Sequence, residues 1–287
     1  MLTDRRRFML SVFIAAAFGG ADRGFAAGDQ ALFWRIKTRD DRSGIVFGYG
    51  PIAASLAPGI VRDGERMIEQ TSRVVLDMNN FTFPTINMGK LPPLLPRLSQ
   101  AVAGELRKVL AGSGMAQPQI ESLSGLIIAF FLAGEGQTNP VPSVGGVIVD
   151  RARALGRSIT VLLTEDEVKQ LVKPIDWTAL NDTVDEKLIT FMLELRRQVG
   201  PIGARSEKLY GDRKSEELHR FSEILADHGV PGPQTYVKDN FDLLFSRISG
   251  SLTTSRCFIF APVGTLTGPD GILERFHRRG ADISVLA

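Results

Sequence analysis

Few side chains in this sequence could do chemistry. Histidine occurs three times, at His219, His228 and His277, and no two stand four residues apart, the spacing that puts two imidazoles on one helix face around a metal. His219 has Glu216 and Glu217 beside it and is expected on a charged, solvated helix surface. Structural zinc wants four nitrogen or sulfur ligands and catalytic zinc three from the protein, so no histidine metal site is expected. No Asp-rich twelve-residue loop announces calcium either. The one cysteine, Cys257, excludes a disulfide framework or a thiolate cluster, and within Cys257-Phe258-Ile259-Phe260 it reads as a buried small hydrophobe. There is no Gly-x-Ser-x-Gly elbow for a serine nucleophile. Gly48-Tyr49-Gly50 ends an apolar run where a phosphate cradle could begin, but the third glycine and the helix start are missing, so it reads as a tight turn. No cofactor is expected.

The elements that would position any such site form an α/β pattern. Leu32–Thr38 alternates in polarity and runs through the polar turn Arg39–Ser43 into Gly44–Tyr49, a hairpin. Arg73–Met78, Ser158–Leu163, Arg256–Ala261 and Asp282–Leu286 are short continuous apolar runs, as expected of strands covered on both faces. Helical periodicity marks Asp176–Arg197 and Tyr236–Leu252. Leu95–Ala111 and Gln117–Ala133 suggest a helical hairpin across Gly112-Ser113-Gly114, and Leu123–Ala133 is apolar enough to be buried on several sides. The fold expected is a central, mostly parallel mixed sheet of about six strands with flanking helices. Helical insertions fill residues 79–157 and 164–255. Glu165-Asp166-Glu167 suits a helix start, and Trp34 and Trp177 suit the core.

The chain has 287 residues, 44% hydrophobic and 23% charged, which excludes disordered and fibrous classes. It opens with Arg5-Arg6-Arg7 and the apolar run Phe8–Phe18, followed by small residues to Ala27. That run is shorter than the ~20 residues a spanning helix needs, so residues 1–27 read as a cleaved signal peptide that leaves no membrane anchor. Arg5-Arg6 with Phe8 fits a twin-arginine export signal, which implies an exported, periplasmic protein. Residues 1–26 hold four Arg and two Asp, so the totals of 34 basic and 32 acidic residues become 30 and 30 in the body of residues 28–287. A neutral body gives no electrostatic footprint for nucleic acid.

Several segments, in order, resemble the TraB/GumN family, exported bacterial proteins related to the Tiki metalloproteases. Leu32-Phe33-Trp34-Arg35 is similar to the family's first strand. Ile45-Val46-Phe47-Gly48 is similar to its second, which normally runs into Gly-x-x-His; here Gly48-Tyr49-Gly50-Pro51 places Pro51 at the histidine. Val74-Val75-Leu76-Asp77 resembles a strand ending in Leu-Glu, with Asp77 keeping a carboxylate. Asn240 alone remains of an Arg-Asn pair, and Tyr210-Gly211-Asp212 resembles another family segment. Phe258–Leu273 resembles the C-terminal strand, Gly-x-Gly-His turn and helix, with Gly264 kept and Thr265 at the second histidine. The resemblance implies a cleft at Gly48, Tyr49, Pro51, Asp77, Asn240, Gly264 and Thr265. With both imidazoles absent it implies no metal and no family reaction, leaving a binding or scaffold role with unknown partners. The alternative is a divergent hydrolase, with a relocated or oxygen-only metal site, using Asp77 as base or ligand, Tyr49 as donor and Thr265 with the Gly264 backbone.

Overall fold

A computed structural model describes residues 31–78, 90–138, 141–172, 176–230, 241–252 and 256–286. The expected signal peptide, residues 1–27, lies outside this set. The strands are β1 (Phe33–Lys37), β2 (Ser43–Tyr49), β3 (Arg73–Met78), β4 (Ser158–Leu163), β5 (Cys257–Pro262) and β6 (Asp282–Val285). They form one sheet in the order β4-β3-β5-β2-β1-β6. The β1–β2 hairpin and β1–β6 are antiparallel, whereas β2–β5, β3–β5 and β3–β4 are parallel. The sheet is therefore mixed and mostly parallel, as its helix-separated strands require.

The helices are α1 (Pro58–Glu69), α2 (Gln100–Gly112), α3 (Gln117–Glu121), α4 (Gly125–Gly134), α5 (Val144–Ala154), α6 (Glu165–Val172), α7 (Trp177–Asp182), α8 (Glu186–Val199), α9 (Ile202–Gly211), α10 (Ser215–Asp227), α11 (Phe241–Ser251), α12 (Val263–Leu266) and α13 (Ile272–Arg278). Strand alternation sorts the core into two layers. Phe33, Phe47, Val74, Leu76, Phe258 and Phe260 face one way, over α1, α5 and the helices α2–α4 and α8–α10. Trp34, Val46, Val75, Cys257 and Ile259 face the other, over α11 and α13. Cys257 is fully buried, as expected, with its thiol 3.6 Å from the Ser43 carbonyl. Apolar helix α4 is buried almost all round, and among the described residues no helix is long and apolar enough to cross a membrane.

Three expectations need correction. Strands β4 and β6 are not covered on both faces; among the described residues they are the sheet's edges, with most of their residues exposed or half-buried. The helix expected over Asp176–Arg197 is two helices. Asp176 caps α7 through the Thr178 and Ala179 amides, and Asp185 caps α8 through the Leu188 amide, so the chain restarts at residues 183–185. The expected helical hairpin is likewise interrupted: Leu95–Arg97 is a short 3-10 turn, and residues 122–124 separate α3 from α4. The helix expected from Tyr236 is seen from Phe241 onward, because residues 231–240 lie outside the described set.

Candidate functional site

Open α/β sheets place their sites outside the carboxyl ends of parallel strands, where neighbouring strands part. Here that parting lies between β3 and β5. Their pairing runs from Arg73–Cys257 to Val75–Ile259. Beyond it, β3 stays with β4 as far as Met78–Leu163, and β5 stays with β2 as far as Tyr49–Pro262. The last residues of β3 thus fork away from those of β5.

A hydrogen bond closes the fork. Tyr49, the last residue of β2, donates its hydroxyl to Asp77 Oδ2 at 2.5 Å, and the Met78 amide donates to Oδ1 at 2.8 Å. Asp77 is 2% exposed and Tyr49 9%. Burial pushes the Asp77 carboxyl up to about 7, although both hydrogen bonds pull the other way. The same burial, together with the adjacent carboxylate, holds the Tyr49 hydroxyl protonated well above its ordinary value. Burial outweighs hydrogen bonding here because a carboxylate in an apolar layer loses more hydration than two donors return.

Tyr210, from α9, completes the cluster by donating its hydroxyl to the Gly48 carbonyl at 2.9 Å. Its ring lies where a Cβ on Gly50 would sit, 2.8 Å away, while a Cβ on Gly48 would press on Trp34 and Val263 at 3.1–3.2 Å. Gly48-Tyr49-Gly50 is therefore not a tight turn, because Gly48 and Tyr49 continue β2. The glycines are small because aromatic rings and α12 approach the backbone on both sides.

Of the other residues expected at the cleft, Pro51 is half-buried just past this segment. Gly264 and Thr265 are buried within α12, which follows β5 directly. Thr265 donates its hydroxyl back to the Pro262 carbonyl at 2.7 Å, inside its own turn. Asn240 lies outside the described residues. Tyr49 and Asp77 are thus brought into direct contact, and Gly48 joins them through Tyr210. Thr265 sits beside the same strand ends with its hydroxyl committed locally. Among the described residues, no three His, Cys, Asp or Glu side chains converge to hold a metal.

His219 departs from its expected place. It is 4% exposed, on the inner face of α10 with Ser215, Leu218, Phe221, Ser222 and Leu225. Its ring covers Gly268 so closely that a Cβ there would stand 2.2 Å from it. Gly268 has φ +86°, so the site demands glycine twice over. Among the described residues neither ring nitrogen has a hydrogen-bond partner; Nε2 stands 3.6 Å from Glu223 Oε1. Burial, with a smaller contribution from Arg220, pushes the imidazole down to about 4. It is neutral at ordinary pH.

Comparison of the chain with family models, with curated proteins and with solved structures finds no match.

Proposed function

We propose that this is an exported TraB/GumN-like protein, catalytically inactive, with a binding or scaffold role in the cell envelope. The observation that carries this reading is the closed fork. The strand-end carboxylate that a hydrolase would turn toward substrate is buried and spent on Tyr49 and the Met78 amide. Pro51 and Thr265 stand at the two positions where the resembled family keeps histidine, and neither side chain replaces an imidazole as a metal ligand. Purified protein is expected to carry no stoichiometric zinc, cobalt or manganese by elemental analysis, and to cleave no peptide in a chelator-sensitive way. One tightly bound ion per chain with chelator-sensitive hydrolysis overturns the reading.

Export rests on residues 1–27 and on Arg5-Arg6. Changing both arginines to lysine is expected to leave the unprocessed precursor inside the cell. Unimpaired secretion of that variant excludes the twin-arginine route.

The hydrolase reading draws on one observation: the Asp77 carboxyl, at about 7, has the proton affinity of a general acid or base. That reading requires hydrolysis that Asp77→Asn abolishes.

A further inference from the structure

Among the described residues the two most exposed large apolar side chains are Val141 at 78% and Leu56 at 50%. They are brought together by the short segment that follows β2. The Ala54 amide donates to the Pro142 carbonyl at 2.9 Å, and Ala53 bridges antiparallel to Ser143, so Leu56 and Val141 lie beyond the same end of this pairing. Pro58 and Pro142 are exposed beside them, and Pro51 and Ala54 are half-buried. Neither Gly50–Val61 nor Val141–Val149 contains a charged residue. Arg213 reaches the border of the patch at Gly59 and is paired there with Asp63. A contiguous apolar surface without charge marks a place where something docks.

We propose that this patch seats the apolar run Phe8–Phe18 of the same chain while the leader is still attached. The proposal rests on the reading of residues 1–27 as an export signal. Three observations favour this occupant over another molecule. The first is where the chain enters. Strands β1 and β2 are antiparallel with Phe33 opposite Phe47, and the Leu32 carbonyl accepts from the Gly48 amide at 2.8 Å. The residues before Ala31 therefore arrive at the carboxyl end of β2, whose continuation is Gly50, Pro51 and the patch. The second is length. Phe18 precedes Ala31 by thirteen residues, which span up to about 43 Å, whereas Leu56 follows Gly48 by eight, at most about 28 Å. The run thus reaches the patch by any path. The third is chemistry. Ten of the eleven residues Phe8–Phe18 are apolar and none is charged, so they match the uncharged patch. In a chain exported already folded, such a run otherwise stands in water beside a finished body, and burying it on the patch removes apolar surface from both.

The test is disulfide formation in the unprocessed full-length chain, where Cys257 is buried and does not compete. Ser11→Cys combined with Leu56→Cys, or with Val141→Cys, is expected to cross-link within the chain at least about tenfold faster than Ser11→Cys combined with Val161→Cys, an exposed apolar position on edge strand β4. Leu56→Asp with Val141→Asp changes exposed side chains only, and it is expected to speed thiol labelling of Ser11→Cys at least about tenfold by unseating the run. Equal cross-linking at Leu56, Val141 and Val161 overturns the proposal. So does labelling of Ser11→Cys that the two aspartates leave unchanged, or a cross-link whose rate rises with protein concentration, which marks a second copy as the occupant. Secretion and processing of the wild type keep the two readings apart. A wild type that is processed and secreted but shows no preferred cross-link sinks the seat alone, whereas a wild type that is never exported, yet cross-links at Leu56, sinks the export reading alone.

Discussion

Asp77→Asn is expected to make the folded protein more stable at pH 8, not less. The folded chain holds the Asp77 proton until about pH 7, whereas the unfolded chain releases it near the ordinary value of 3.8. Between those values the native state binds more protons than the unfolded state, so stability falls as pH rises. The contribution of the protonated group is complete below about pH 4 and gone above about pH 7. Three pKa units correspond to about 4 kcal/mol across that window. Asparagine keeps an oxygen for the Met78 amide and a polar edge for the Tyr49 hydroxyl, and it carries no charge to bury. Denaturant unfolding at a series of pH values checks this. The variant should gain up to about 4 kcal/mol over the wild type at pH 8, and the gap should close toward pH 4. A variant whose difference from wild type does not change with pH would show that Asp77 does not hold its proton as argued.

The second large effect has the opposite sign. The His219 imidazole protonates near pH 4 when folded and near 6.5 when unfolded, so the unfolded chain takes up the proton first as the medium is acidified. Stability from neutral His219 is present above about 6.5 and lost as pH falls toward 4, by about 3 kcal/mol. His219→Phe fills a similar volume, removes two buried nitrogens that have no hydrogen-bond partner among the described residues, and should abolish that acid-side loss. The two groups titrate in overlapping windows and oppose one another. The wild type should therefore be flatter in pH than either variant. Asp77→Asn should expose a stability that rises with pH, and His219→Phe one that falls. Parallel profiles for the two variants would refute the assignment of either proton.

Much of the sheet is legible in the sequence. Val74-Val75-Leu76, Ile159–Leu163 and Phe258-Ile259-Phe260 combine β-branched and aromatic residues in lengths too short for a buried helix, and the structure places strands there. An apolar run, however, does not say whether a neighbour lies on both sides, so β4 reads as an inner strand and is the sheet's edge. Periodicity alone also misses the restart between α7 and α8. The signal is Asp185, whose carboxylate caps α8 three residues on, in the middle of an unbroken apolar stripe.

The site is half legible. Tyr49 and Asp77 lie in segments that the sequence singles out, and the structure joins them. Tyr210 does not announce itself as a partner of Gly48, because a contact across 162 residues leaves no local mark. For His219 the adjacent Glu216 and Glu217 mislead. The better guide is spacing, since Ser215, Leu218, His219, Ser222 and Leu225 share a helix face whose leucines point inward.

The position of β1 between β2 and β6 sets an order of assembly. Its hairpin partner is a near neighbour in the chain, but its other partner is β6, which pairs Val285 with Trp34 and follows all the other described strands. During synthesis the hairpin must wait with one side bare until residues 282–285 have been made. A chain stopped before residue 282 would keep that side open, so a ribosome stalled there presents the cell's chaperones with a strand still available to bind.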